Sequence, residues 1–294
     1  MPFVTIDDCE IYYDMADLTK PWLDKKDIIV MHHGLCRSSE VWFAWIPILS
    51  RSFPVLRIDA RGCGRSSKPK EDFEPSLDAF TRDLTKILNA LDIRKVHFIG
   101  ESFGGIIGLN FTKTCPERVK SLILCNTPCK LPENLSDKYA LNFKDSAEAI
   151  LSLGVQEWCL RTIGYRLDEE LATEEMKNWY AREMARTPSM FAAKWVSLLP
   201  GLDFTPYLSE IGCPTLLLAG EKSAISTQEQ QQMMKSSISN CEVFVLPSVG
   251  HGVNVVAAEQ CAQATLRFLK THFQRNSKLR GDAGKKVSYV GKGE

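Results

Sequence analysis

The chain has 294 residues, with 36 Lys and Arg balanced by 36 Asp and Glu, so its formal net charge is zero. This balance argues against a nucleic-acid partner, and apolar runs such as residues 215–219 are far too short to cross a bilayer. The composition is that of a globular protein long enough for one large α/β domain or two small ones.

Short apolar segments alternate with amphipathic segments along most of the chain. Apolar residues from Leu77 to Leu91 recur on one face of a predicted helix that Ser76 is placed to cap, and a second helix is predicted from Val255 to Leu269 with Asn254 as its cap. Buried strands separated by helices predict an α/β fold, with a mostly parallel central sheet flanked by helices on both faces. Eight strands are predicted at about 3–6, 10–14, 27–32, 53–58, 95–100, 121–126, 214–220 and 241–246.

The alternation stops between residues 129 and 208, where the pattern is helical throughout. We interpret 129–208 as a helical cap inserted before the next-to-last strand, and residues 1–128 and 209–274 as the core around the sheet. Trp158, Trp179 and Trp195 in the cap either pack it onto the core or line a pocket. Residues 275–294 are polar, basic and glycine-containing, which is typical of a loose tail.

The pentapeptide from Gly100 to Gly104 has the pattern Gly-x-Ser-x-Gly, with Ser102 at its centre. It lies between a predicted strand and an apolar run that is predicted to form a helix. A strand that turns directly into a helix forms a strained elbow, and the glycines remove the Cβ atoms that would clash there. Ser102 is therefore the candidate nucleophile.

A serine nucleophile needs a base that accepts its proton, and histidine is the usual one. His251 follows the strand predicted at 241–246 by a short loop, so it belongs at the carboxyl edge of the sheet, as does Ser102. His97 lies inside a predicted strand and His272 at the end of the last helix. We therefore predict His251 as the base, and expect the rate to fall as the pH drops through an ordinary histidine pKa near 6.5.

The backbone N–H groups of Leu35 and Phe103 are the predicted donors to the oxyanion. Leu35 follows Gly34 directly after the strand at 27–32, and Phe103 follows Ser102, so both donors face the same crevice. Another glycine-rich segment, 59–66, also follows a strand. We interpret it as a turn fixed by its own hydrogen bonds, with a structural role.

The ordered motifs His33-Gly34, Asp-x-Arg-Gly-x-Gly-x-Ser at 59–66, Gly-x-Ser-x-Gly at 100–104 and Gly250-His251 resemble those of the α/β-hydrolase family. The resemblance covers roughly residues 20–272 and is closest to the 3-oxoadipate enol-lactonase-like branch. It implies an α/β-hydrolase fold with a helical cap over the site. A serine at the elbow argues against dehalogenase or epoxide-hydrolase chemistry, which the family performs with Asp at this position.

The chain departs from the family at the third catalytic residue. The family places an Asp three residues after the Gly that ends the next-to-last strand, and here that position is Ser223. Some relatives take the acid from the end of the preceding strand, where this chain has Asn126. Either Glu221 bends across the loop to orient His251, or Ser223 or a water does so and Glu221 is a surface charge.

Two classes of function remain open from the sequence. The first is a serine hydrolase that cleaves a small ester or lactone through an acyl-enzyme, without metal or cofactor. The second is a non-hydrolytic member of the fold, such as a lyase, a cofactor-free oxygenase or a ligand-binding protein. In both cases the expected partner is a small molecule, and the N-terminus lacks the features of a secretory signal, so we expect a cytoplasmic chain with reduced cysteines.

Overall fold

The central sheet is described by a computed structural model that covers residues 2–22, 26–132 and 135–274; the predicted tail at 275–294 lies outside the described residues. Each predicted strand forms, with ends that differ from the prediction by at most two residues. The strands are β1 (Phe3–Ile6), β2 (Cys9–Ala16), β3 (Ile28–His32), β4 (Val55–Ile58), β5 (Val96–Glu101), β6 (Val119–Cys125), β7 (Thr215–Gly220) and β8 (Cys241–Leu246).

The strands form one sheet in the order β1-β2-β4-β3-β5-β6-β7-β8. β1 and β2 pair antiparallel, β2 pairs antiparallel with β4, and all the other neighbours are parallel. The interior strands β5 and β7 are buried at every residue, as expected for strands covered by helices on both faces. The predicted fold class is therefore confirmed, and the carboxyl ends of β3, β5, β6, β7 and β8 share one edge.

The helices cover the two faces of this sheet and also form the segment between β6 and β7. The α-helices are α1 (Ile46–Leu49), α2 (Leu77–Ala90), α3 (Phe103–Thr114), α4 (Leu135–Ala140), α5 (Ser146–Leu153), α6 (Val155–Arg161), α7 (Glu174–Met184), α8 (Ser189–Val196), α9 (Gln228–Ser237), α10 (Val253–Val256) and α11 (Ala258–Leu269). Shorter 3₁₀ turns lie at Ser39–Trp42, Pro116–Arg118, Ile163–Tyr165, Leu199–Gly201 and Thr205–Glu210, and a π turn at Lys270–Gln274.

The two predicted helix caps have different outcomes. Ser76 caps α2 as expected, since its hydroxyl accepts a hydrogen bond from Ala79 N at 3.1 Å. Asn254 is not a cap, because it lies inside the short helix α10. Ala257 is not helical, and it separates α10 from α11. The side chain of Trp45 instead donates to the Asn254 carbonyl at 2.9 Å, which ties α10 to the segment before α1.

Helices α4 to α8 lie within the segment 129–208 that was predicted as a cap, and we call the described residues of this segment the helical insertion. Its Trp195 is buried and stacks on Phe80, with the ring centroids 4.5 Å apart. Trp158 is also buried, and its Nε1 donates to the Tyr139 carbonyl at 2.8 Å. Trp179 packs edge-on against Phe43. These contacts favour the packing interpretation of the three tryptophans. Among the described residues, none of the helices combines the length and the apolar character that a membrane span requires.

Candidate active site

Ser102 lies between β5 and α3 in a conformation that non-glycine residues rarely adopt, with φ of 52° and ψ of −117°. The elbow is held in place because Ser102 N donates to the Cys125 carbonyl at 3.0 Å, and the Ser102 carbonyl accepts the first hydrogen bonds of α3. Such backbone strain costs about 1–3 kcal/mol and is characteristic of functional sites.

The glycines on both sides of Ser102 are required by close backbone packing. A Cβ atom on Gly100 would lie 2.5 Å from the carbonyl oxygen of Gly104. A Cβ atom on Gly104 would lie 2.4 Å from the carbonyl oxygens of His32 and His33. These distances explain why the Gly-x-Ser-x-Gly pattern accompanies the elbow, and they bring the chain after β3 against the start of α3.

The strain at Ser102 leads to a testable expectation about stability. Ser102→Gly and Ser102→Ala both remove the hydroxyl, but only glycine relieves the positive φ. The relief of about 1–3 kcal/mol outweighs the entropy that glycine adds to the unfolded chain, about 0.4–1 kcal/mol. Ser102→Gly should therefore melt a few degrees above Ser102→Ala in a calorimetric scan. A lower melting temperature for Ser102→Gly would mean that the elbow is not strained.

His251 lies in the loop after β8 and is 3% exposed. Its Nε2 is 3.0 Å from Ser102 Oγ, and its Nδ1 is 3.1 Å from Ser223 Oγ. The backbone N–H of Ser226 donates to the same Ser223 oxygen at 3.1 Å. We therefore assign the tautomer in which Nδ1–H donates to Ser223 and Nε2 accepts from the Ser102 hydroxyl.

Ser223, rather than Glu221, is the side chain that contacts the imidazole. Glu221 is exposed, and its carboxylate accepts a hydrogen bond from Ser248 N at 2.7 Å. Asn126 supports the loop instead of the ring, since its Nδ2 donates to the carbonyls of Gly250 and His251 at 2.9 and 2.5 Å. In the described part of the chain, no carboxylate is hydrogen bonded to the His251 ring.

The two predicted oxyanion donors line the same small cavity as Ser102 and His251. Neither Leu35 N–H nor Phe103 N–H donates a hydrogen bond to another described residue. The neighbouring Gly34 N–H is engaged, because it donates to a carboxylate oxygen of Glu101 at 2.8 Å. The loop after β3 is thus fixed to Glu101, the residue that precedes Ser102. The N–H groups of Leu35 and Phe103 remain available to a ligand.

Two arginines also line the cavity, one from each side. Arg37, in the loop after β3, forms a buried ion pair with Glu101. Arg166, in the helical insertion, lies over the rings of Tyr139 and Trp158, with its guanidinium carbon 4.6 and 4.2 Å from their centroids. Both arginines are 3% exposed. The cavity therefore carries positive charge within an otherwise largely apolar lining.

This environment lowers the pKa of His251 to about 3. Burial is the largest cause, because it penalises the charged imidazolium, and the positive charges of Arg37 and Arg166 act in the same direction. The imidazole is therefore neutral and available as a proton acceptor over the whole physiological range. Its conjugate acid is at the same time poorly stabilised, because no carboxylate among the described residues is hydrogen bonded to the ring.

The structure brings together Ser102, His251, Leu35 and Phe103, as the sequence analysis expected, and adds residues that it missed. Arg37 and Arg166 were missed because they are separated by 129 positions and fall in a loop and in the insertion. The charged pair Arg37 and Glu101 could have been noticed, since both lie within two residues of the predicted site residues Leu35 and Ser102. The three tryptophans discussed above do not line this cavity.

The glycine-rich segment 59–66 has the structural contacts that its interpretation requires. The Asp59 carboxylate accepts hydrogen bonds from Ser39 N at 2.6 Å and from Arg65 N at 2.8 Å. Arg61 forms a two-pronged ion pair with Asp83 of α2, at 2.8 and 3.0 Å. These bonds fix the turn after β4 and connect it to neighbouring elements.

Comparisons with known proteins agree with this architecture. The family model described as alpha/beta hydrolase fold matches residues 27–258. A 2-hydroxy-6-oxo-6-(2'-aminophenyl)hexa-2,4-dienoic acid hydrolase of Metapseudomonas resinovorans is 26% identical, over 82% of this chain and 83% of its own. A putative carbamate hydrolase RutD of Agrobacterium fabrum is 25% identical, over 82% of this chain and 92% of its own. The structure of the enol-lactonase from Burkholderia xenovorans LB400 superposes with a TM-score of 0.77 at 20% identity, over 92% of this chain and 100% of that one. The chain belongs to the alpha/beta hydrolase family.

Proposed function

We propose that the protein is a serine hydrolase that cleaves a small ester or lactone through an acyl-enzyme. The observation that carries the proposal is the contact of 3.0 Å between His251 Nε2 and Ser102 Oγ at a strained elbow, beside two unengaged backbone donors. A nucleophile, a base and oxyanion donors are the parts that acyl transfer requires. The hydrolase names of the sequence relatives support the same reaction class.

In this proposal each group has one role. Ser102 Oγ attacks the acyl carbon while its proton passes to His251 Nε2, and the carbonyl oxygen becomes an oxyanion that the N–H groups of Leu35 and Phe103 bind. The bond to the leaving oxygen then breaks, and this oxygen takes the proton from His251. Water attacks the acyl-enzyme, gives a proton to the same nitrogen, and Ser102 leaves with that proton as the carboxylic acid forms.

We further propose that the helical insertion acts as a cap that admits and selects the substrate. The catalytic cavity measures about 30 Å³, far below the roughly 300–1,000 Å³ of occupied ligand sites, so side chains must move when substrate binds. A second pocket of about 280 Å³ lies beside it in the insertion. Leu131, Leu135, Tyr139 and Leu199 line both spaces, so their displacement would join them. This is the route that we assign to the substrate.

A panel of short acyl esters and lactones, assayed with the purified protein, tests this function. Turnover of at least one of them, with loss of turnover in His251→Ala, is the expected result. Ser223 in place of a carboxylate is the observation that favours the alternative, a non-hydrolytic member of the fold. Tight binding of the same compounds without release of acid or alcohol would support that alternative and contradict the hydrolase.

The lowered pKa of His251 changes the expected pH dependence. The base works in its neutral form, and a pKa of about 3 keeps it neutral at lower pH, so kcat/KM for a neutral ester should stay flat from pH 8 to about 5. Among the described residues, the charged groups near the ring are Arg37 and Arg166. Glu101 forms an ion pair with Arg37, and the Asp168 carboxylate accepts a hydrogen bond from Gly250 N. This result would replace the sequence-based expectation of a fall near pH 6.5.

The pH profile requires a parallel measurement of folding. Burial lowers the pKa of His32 to about 3 and of His33 to about 4, so the unfolded chain binds more protons than the folded one below pH 6.5. The free energy of unfolding therefore falls as the pH drops below that value. Far-ultraviolet circular dichroism at each pH separates unfolding from titration of the base. A fall in kcat/KM near pH 6.5 with fully folded protein would contradict the assigned environment of His251.

A further inference from the structure

Arg166 is a buried cation without a carboxylate partner among the residues that the structure describes. Its Nε donates to Thr162 Oγ1 at 3.0 Å, and its Nη2 is buried without a hydrogen-bond partner in the described chain. Tyr139 and Trp158 cover its faces but supply no formal negative charge. A guanidinium stays charged at every pH at which proteins fold, so its burial without an anion is costly. A buried guanidinium with an unpartnered N–H group is suited to bind a ligand with negative charge.

Arg37, which lines the same cavity, also has a buried donor without a partner among the described residues. One of its Nη groups pairs with Glu101, while its Nε is buried and has no partner in the described ranges. Arg37 and Arg166 line the cavity, and Glu101 offsets the charge of Arg37. The Asp168 carboxylate accepts a hydrogen bond from Gly250 N and is not part of the lining, so the lining keeps an excess of one positive charge beside Ser102 and His251. The remaining lining consists largely of apolar side chains, which screen that charge poorly.

The catalytic step places a further positive charge, on His251, beside this excess. When Nε2 accepts the serine proton, an imidazolium forms near two guanidinium groups, and its Nδ1–H contacts the neutral hydroxyl of Ser223. In a Ser-His-Asp triad a carboxylate stabilises this imidazolium, and its replacement by a neutral group slows the reaction about 10⁴-fold. An anion in the cavity would reduce the same electrostatic cost from the other side of the ring.

We propose that Arg166, together with the free Nε–H of Arg37, binds a carboxylate of the substrate, and that this carboxylate supplies the negative charge for the His251 imidazolium that a triad acid would otherwise supply. The inference rests on the proposed function, because it names the class of ester or lactone that is cleaved. That class carries a carboxylate a few bonds away from the scissile carbonyl. Neutral esters of the same size are poorer substrates.

The kinetic test compares two esters that share a leaving group and differ in one end of the acyl chain. They are p-nitrophenyl hydrogen glutarate, which is anionic, and p-nitrophenyl pentanoate, which is neutral. After the spontaneous rates are subtracted, the anionic ester should be preferred in kcat/KM by about 100-fold, the value of charge-assisted hydrogen bonds in a buried site. The preference should appear in kcat as well as in KM, because the carboxylate also assists His251.

Substitutions at Arg166 show whether this side chain is the origin of the preference. Arg166→Gln should reduce the preference to less than about 10-fold, and Arg166→Lys should retain part of it, since the charge remains and the two-pronged geometry is lost. Arg161→Gln is the matched control, because Arg161 lies on α6, is half exposed and pairs with Glu157. This variant should prefer the anionic ester as strongly as the wild type does. Arg37 is unsuitable, because its removal leaves Glu101 buried and unpaired.

A binding measurement keeps this inference separate from the hydrolase itself. Calorimetric titration of Ser102→Ala with pentanoate and with pentanamide should show tighter binding of the anion, weakened about 10-fold or more by adding Arg166→Gln. Binding of this kind without turnover of any ester would uphold the carboxylate site and refute the hydrolase. Equal binding of anion and amide, or an anion preference that Arg166→Gln leaves intact, would overturn the inference. A preference confined to KM would refute the assistance to His251.

Discussion

Ser102→Ala should lower kcat for ester hydrolysis by about 10⁴- to 10⁶-fold, the size of loss that follows removal of a serine nucleophile. The hydroxyl is the group that His251 Nε2 contacts at 3.0 Å, and no other described side chain is hydrogen bonded to that nitrogen. The fold should be spared, because the Ser102 side chain makes no other hydrogen bond among the described residues and alanine keeps the Cβ atom. Steady-state kinetics and a thermal melt check both parts.

A matched serine on the surface provides the control for this experiment. Ser236 is exposed on α9, where its hydroxyl donates to the Met233 carbonyl at 3.0 Å, so Ser236→Ala should leave kcat unchanged. Residual activity above about one per cent of the wild type in folded Ser102→Ala protein would refute the assignment of the nucleophile. A loss of comparable size in Ser236→Ala would show that the assay reports stability instead of catalysis.

Ser223→Asp should raise kcat/KM for a neutral ester, by about 100-fold and up to the 10⁴-fold effect of a triad carboxylate. Ser223 Oγ already lies 3.1 Å from His251 Nδ1, so an Asp carboxylate at this position can accept the same hydrogen bond and stabilise the imidazolium. Ser226 N–H remains a donor to it, and the nearby charges of Arg37 and Arg166 favour the ionised form. The anion preference inferred above should shrink in the same variant.

Glu221→Gln is the control for this gain. The Glu221 carboxylate accepts from Ser248 N on the surface and does not reach the imidazole, so the variant should retain full activity. A large loss in Glu221→Gln would instead show that Glu221 orients His251 in solution. Unchanged or reduced activity in folded Ser223→Asp protein would mean that His251 does not lack a negative charge.

Most of the sheet could be predicted because its strands are short apolar segments bounded by glycine, proline and polar residues. The positions of Ser102 and His251 followed from the same pattern, because Ser102 comes directly after such a strand, His251 follows one by a short loop, and parallel strands end at one edge. Asn254 was misassigned because a polar residue before an apolar periodic segment is typical of a cap. The chain forms two helices there, which the non-helical residue Ala257 separates.

The charges in the cavity could not be predicted, because they depend on how the helical insertion lies over the sheet. Arg166 precedes no strand and follows no motif, so nothing local indicates that its guanidinium faces the same space as Ser102. The size of the shift in the His251 pKa depends on the burial of the ring and on the positions of Arg37 and Arg166. The tryptophans present the same difficulty, since Trp158 and Trp195 would have the same sequence pattern in a core or in a pocket.

Covalent labelling with a neutral fluorophosphonate tests most directly whether Ser102 is a nucleophile activated by His251. The reagent should add one phosphonyl group to the folded protein, and peptide mass spectrometry should place it on Ser102. The adduct should be absent from Ser102→Ala and should form far more slowly in His251→Ala, because the base is lost. Folded wild-type protein that takes up no reagent, or takes it up at another residue, would contradict the account.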